Sequence, residues 1–105
     1  MRYGKLVRDK IPNIIAAETG KSVSVKILTD DEYLDALHDK LDEEVAEFHD
    51  GSDIEELVDI YEVLDALVRQ LGHTFDDIRT RSLKKRNERG SFNNRFFLVE
   101  EDVND

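Results

Sequence analysis

The sequence predicts a mainly α protein of 105 residues: two long antiparallel helices and a third, with a small β-ribbon beside them. Three observations predict it. Apolar residues at Leu34, Leu37, Leu41, Val45 and Phe48 recur every three or four positions, the period of one helix face. A second run has two such stripes side by side, Ile54, Leu57, Tyr61, Leu64, Val68 and Leu71 next to Ile60, Val63 and Leu67. Between the two runs stands a tight turn, Asp50-Gly51-Ser52.

The first long helix should open at Thr29, with Glu32 as its reciprocal partner in a capping box, and run to about His49 before Gly51 stops it. Ser52 or Asp53 caps the second, Ser52 forming a further box with Glu55, and Gly72 follows its end. Thr74 and Asp77 fit the N-cap and N3 positions of a third helix reaching about Arg89, with Phe75, Ile78 and Leu83 as its few anchors. Ahead of these, Pro12 suits the first turn of a short helix with Ile14, Ile15 and Ala17 on its buried side and Gly20 at its end. Residues 22–28 alternate at Val23, Val25 and Ile27, a half-buried strand, and its best partner is Arg95-Phe96-Phe97-Leu98-Val99. Two long helices leave a core incomplete. A second copy should finish a four-helix arrangement, so a homodimer or higher homo-oligomer is expected.

Length predicts one domain, residues 1–105. Cysteine is absent, which excludes disulfides, thiolate metal sites and a cysteine nucleophile. No apolar run has the length of a membrane span, and Met1-Arg2-Tyr3-Gly4-Lys5 lacks the apolar stretch of a signal peptide. A cytoplasmic protein with no membrane partner is the expectation. The formal charge of −10 is unevenly spread. Residues 29–65 hold sixteen acids and one base, Lys40, whereas residues 79–95 hold seven bases and one acid. The net field disfavours a nucleic-acid polymer as partner.

Four of the acids stand apart from the rest. At about 100° per residue, with Leu41 at zero, Glu44 falls at about −60°, inside the apolar arc, and Glu47 at about −120°, on its edge. Glu56 is in register with Ile60, Val63 and Leu67, and Asp59 sits between Val63 and Ala66. Each pair is spaced i, i+3, so its members are neighbours. Carboxylates converging in apolar surroundings repel one another and lose hydration, and a divalent cation relieves both costs. Oxygen ligands suit Mg²⁺, with Mn²⁺ as the alternative. The competing reading is a solvated acidic face. The cations Lys84, Lys85 and Arg89, with Arg8 and Lys10, are candidates for an anion's phosphates. Lys5, Arg8 and Lys10 also read simply as solvated terminal charges.

These residues carry a resemblance. Glu44-Val45-Ala46-Glu47 followed by Glu56-Leu57-Val58-Asp59 resembles the paired motifs of the all-α nucleoside triphosphate pyrophosphohydrolases, the MazG-like superfamily. Lys5-Leu6-Val7-Arg8-Asp9-Lys10-Ile11-Pro12, together with Lys84-Lys85-Arg86-Asn87-Glu88-Arg89-Gly90-Ser91-Phe92, is similar to a subgroup of phosphoribosyl-ATP pyrophosphohydrolase-like proteins. The resemblance implies a MazG-like helical bundle. It also implies an Mg²⁺-dependent hydrolase that cleaves a nucleotide between its α and β phosphates into a monophosphate and pyrophosphate. Glu44, Glu47, Glu56 and Asp59 would hold the metal, with Glu44 and Glu47 the candidates for activating water and Glu47 preferred. Glu62 and Lys40 would assist, and Tyr33 or Phe92 would meet the base. The alternative is a helical regulatory protein that binds a nucleotide or a partner without hydrolysing anything.

Overall fold

The computed structural model describes residues 4–102 and holds four helices: α1 (Ile11–Thr19), α2 (Asp30–Gly51), α3 (Ile54–Gln70) and α4 (Phe75–Arg89). α1 begins with Pro12 in its first turn and stops at Gly20, whose positive φ of 69° lets its N–H reach the Ala16 carbonyl. α2 opens with the expected box. The Thr29 hydroxyl accepts the Glu32 N–H, and the Glu32 carboxylate accepts the Thr29 N–H at 3.1 Å.

The turn between α2 and α3 differs in detail from the expectation. α2 continues through Gly51, and Ser52 takes the left-handed conformation, with φ 51°. Its N–H donates to the Phe48 carbonyl. Spent as the stop of one helix, Ser52 does not cap the next. Asp53 does, accepting the Glu55 N–H at 3.2 Å. A two-residue connection reverses the chain, and α2 and α3 pack along each other with Leu37 and Val63 buried at the centre.

α3 closes with a Schellman arrangement. Gly72, at φ 80°, donates to the Arg69 carbonyl and His73 to the Val68 carbonyl. α4 then starts from a second capping box, Thr74 with Asp77. Phe75, its first residue, stacks on Tyr61 of α3. Phe75 is half-buried and the rest of the helix is exposed, as its thin apolar stripe foretells.

The expected β-ribbon does not form. Among the described residues there is no strand, and residues 22–29 and 95–100 run without ladder bonds. Ile27 is 94% and Phe96 90% exposed. Alternation marks a half-buried strand only when a neighbour takes up its N–H and C=O groups and a face covers its side chains. Neither segment has that here, and the second instead begins from a tight turn in which the Arg95 N–H donates to the Phe92 carbonyl.

The two apolar stripes of α3 have different fates. On a wheel of about 100° per residue, Ile60, Val63 and Leu67 face α2, together with Glu56 and Asp59. Ile54, Leu57, Val58, Tyr61, Leu64 and Leu71 spread over the opposite arc, roughly 140° wide, and every one is exposed. The chain has a radius of gyration of 19.4 Å, against about 13 Å for a compact domain of this length. Its accessible surface is 9894 Å², against roughly 6,100 Å² for a folded monomer of this mass.

Candidate metal centre

The inner register of α3 and the apolar face of α2 bring three carboxylates to one place. Oxygens of Glu44, Glu56 and Asp59 all lie within 4.8 Å of one another. Glu44 comes from the middle of α2, seven residues after the buried Leu37, so the same packing that buries the leucine carries the acid inward. Glu56 and Asp59 precede Val63 by seven and four residues, on its side of the helix, and are half-buried.

Glu44 is the unusual member. It is 7% exposed. Its Oε1 lies 3.4 Å from the Lys40 ammonium, one turn earlier, which is shared with Glu43. Its Oε2 is buried with no hydrogen-bond partner. Burial pushes the Glu44 carboxyl up, the adjacent Glu47 carboxylate pushes it further, and Lys40 opposes both. An acceptor left alone in such a place costs free energy that a bound cation returns.

Asp59 already meets a cation of the chain itself. Arg8 Nη2 stands 2.7 Å from Asp59 Oδ1. Arg8 belongs to the segment leading into α1, which lines the same grooves as α2 and α3 at this level. Two adjoining grooves result, of about 280 and 430 Å³, both lined by Val7, Arg8, Lys40, Glu44 and Asp59. The larger extends over Leu6, Tyr33, Leu37, Val63 and Ala66, with Lys10 and Glu62 also on its wall.

The donor set fits a hard divalent cation. Mg²⁺ holds oxygens at about 2.0–2.1 Å and Ca²⁺ at about 2.3–2.6 Å. Oxygens on opposite sides of such ions are thus about 4–5 Å apart, which is the spread of this trio. Three carboxylates, one of them with a buried oxygen that has no partner, could hold such an ion.

Not every acid singled out by the sequence joins them. Glu47 is exposed and outside the trio, although beside Glu44. Lys84, Lys85 and Arg89 lie on the exposed α4 and line neither groove, and Phe92 is 98% exposed. Lys40 enters more closely than an assisting role suggests, and its i, i+4 spacing from Glu44 is the signal that finds it. The Arg8–Asp59 pair has no such signal, since 51 residues separate its members.

No family model matches the chain. It is similar to an uncharacterized protein of Mycolicibacterium smegmatis (strain ATCC 700084 / mc(2)155), with 56% identity over 43 residues. That stretch is 41% of this chain and 43% of the relative, so the chain spans less than half of the relative's length. No solved structure matches.

Proposed function

We propose that this protein is a divalent-cation-dependent nucleotide pyrophosphohydrolase of the MazG-like type, cleaving between the α and β phosphates to release pyrophosphate. One observation carries the reading: Glu44, Glu56 and Asp59 converge, with the buried Oε2 of Glu44 unpartnered. The paired Glu-x-x-Glu and Glu-x-x-Asp motifs on successive helices supply the resemblance. Mg²⁺ or Mn²⁺ held there would polarise a phosphoryl oxygen and lower the pKa of bound water.

The chain's own residues divide the remaining work. Lys40 steadies Glu44 from one turn away. Glu47, exposed and outside the trio, is free to take the attacking water's proton. Arg8 and Lys10, on the groove wall, neutralise the phosphate tail. Tyr33 lies along the apolar part of the same groove, where a base ring has room. Glu62 shares that wall and assists from its edge. Lys84, Lys85 and Arg89 of α4 are the further cations that would serve the phosphates.

A homodimer belongs to the same reading. The exposed arc of α3 and the surplus surface match what an obligate partner covers, since interfaces of that kind bury 2,000 Å² or more. A second copy laid on that arc completes a four-helix core.

The test is pyrophosphate release with Mg²⁺ and with Mn²⁺ across standard, deoxy and damaged nucleoside triphosphates, phosphoribosyl-ATP included. Turnover confined to one or two nucleotides, and lost in the E56Q/D59N double variant while the helical circular dichroism stays, is the expected result. Turnover retained in that variant removes the site. A nucleotide recovered intact with the cation bound assigns the alternative, a non-hydrolytic regulatory protein.

A further inference from the structure

We infer that Arg8 is a resident occupant of the cation site which exchanges partners, leaving Asp59 when a divalent ion enters and turning to the anionic end of the substrate. This rests on the cation site proposed above and assigns Arg8 a second state within it. The guanidinium now holds only the outer carboxylate of the trio, at 2.7 Å from Asp59 Oδ1. Glu44 Oε2 is buried and has no hydrogen-bond partner. A single ion among the three carboxylates would meet Glu44 as well as Asp59, which one Arg on the rim does not.

The contact is built to be given up. Its side chains are 52% and 43% exposed, and pairs so open to water are weak. The backbone, by contrast, is fixed. The Arg8 carbonyl accepts the Ile11 N–H at 3.0 Å at the start of α1, while Leu6 and Val7 are half-buried. The exchange is therefore a side-chain rotation about a held Cα, with no movement of the segment. Arg8 lines both grooves, so a rotation keeps it inside the site. Its planar fork matches two phosphate oxygens as well as it matches a carboxylate.

Cation and anion binding are then coupled through one side chain. The ion frees Arg8 for the anion, and by linkage the anion helps the ion displace Arg8. Without Arg8 the ion meets no competitor, and the anion loses a ligand.

The experiment measures Mn²⁺ binding by electron paramagnetic resonance and calorimetry for the wild type, R8Q, R8K and the E56Q/D59N variant. It then titrates pyrophosphate, as its manganese complex, into each loaded protein. Arg8 is half-exposed, so its variants fold. R8Q should bind Mn²⁺ about two- to fivefold more tightly than the wild type and the pyrophosphate complex at least about tenfold more weakly, with R8K between. Mn²⁺ bound by R8Q as by the wild type, or more weakly, overturns the exchange and leaves the cation site standing. Undiminished pyrophosphate affinity in R8Q overturns it equally. A wild type that binds Mn²⁺ no better than E56Q/D59N overturns both the exchange and the site beneath it.

Discussion

The rings of Tyr61 and Phe75 lie 4.3 Å apart between centroids and are inclined by 33°, which fastens the first residue of α4 to the middle of α3. No other residue of α4 is even half-buried, so this stack is the hinge pin of the helix. Phe75→Ala should cost about 2 kcal/mol, below a full core phenylalanine because the ring is only half covered. Hydrogen exchange should then quicken in α4 well before α2. An equal rise in both helices contradicts the assignment.

Glu44→Gln removes a charge from a place that resists it while keeping the side chain's shape. The metal-free variant should be more stable than the wild type at pH 8 by about 1 kcal/mol, a rise in Tm of roughly 4–8 °C. Mn²⁺, which should raise the wild-type Tm, should leave the variant's unchanged. A variant less stable than the wild type without metal would show that Lys40 already compensates the charge.

The helix caps set a pH dependence. The Glu32 carboxyl is held down to about 2, first by the Thr29 N–H it accepts and then by the Lys26 ammonium at 2.9 Å. Asp77 is lowered in the same direction, chiefly by the Thr74 N–H. A carboxyl depressed in the folded chain binds fewer protons there than in the unfolded chain. Its contribution is thus complete above its ordinary value of 4.5 and lost as pH falls toward 2. The stability gap between the wild type and Glu32→Ala should be widest near neutrality and narrow steadily below pH 4.5. A gap unchanged at pH 3 refutes the linkage.

Leu57 stands near the centre of the outer arc of α3 and is 42% exposed. Leu57→Asp should raise the Kd of the proposed dimer at least about a hundredfold, close to 3 kcal/mol. Sedimentation velocity across a concentration series reads this directly. A wild type that stays monomeric at every concentration removes the dimer.

Much of this was written in the sequence because it is local. Thr29 with Glu32, Thr74 with Asp77, and the stops at Gly20 and Gly72 each involve residues within one or two turns. The inward placement of Glu44, Glu56 and Asp59 follows from helical phase alone, as does the outer arc of α3. The failures are non-local or finely balanced. Alternation at Val23, Val25 and Ile27 suits a strand, but a strand exists only when a distant segment pairs with it. Ser52 took the left-handed position that glycine usually fills, and no pattern distinguishes it from the adjacent Gly51. Arg8 reaches Asp59 across 51 residues of sequence, a contact between the segment before α1 and a helix that follows it in the chain.

The two-residue connection at Ser52 and Asp53 has a consequence beyond reversing the chain. Glu44 lies before it and Glu56 and Asp59 after it, so their meeting depends on the phase that each helix carries into the turn. One alanine added to α2 between Phe48 and Gly51 would rotate Glu44 by about 100° about the helix axis relative to α3. Every carboxylate would remain in the sequence, both helices would still form, and the trio would be gone. The site is thus encoded as a count of residues across a turn, and a change of length erases it as surely as a change of charge.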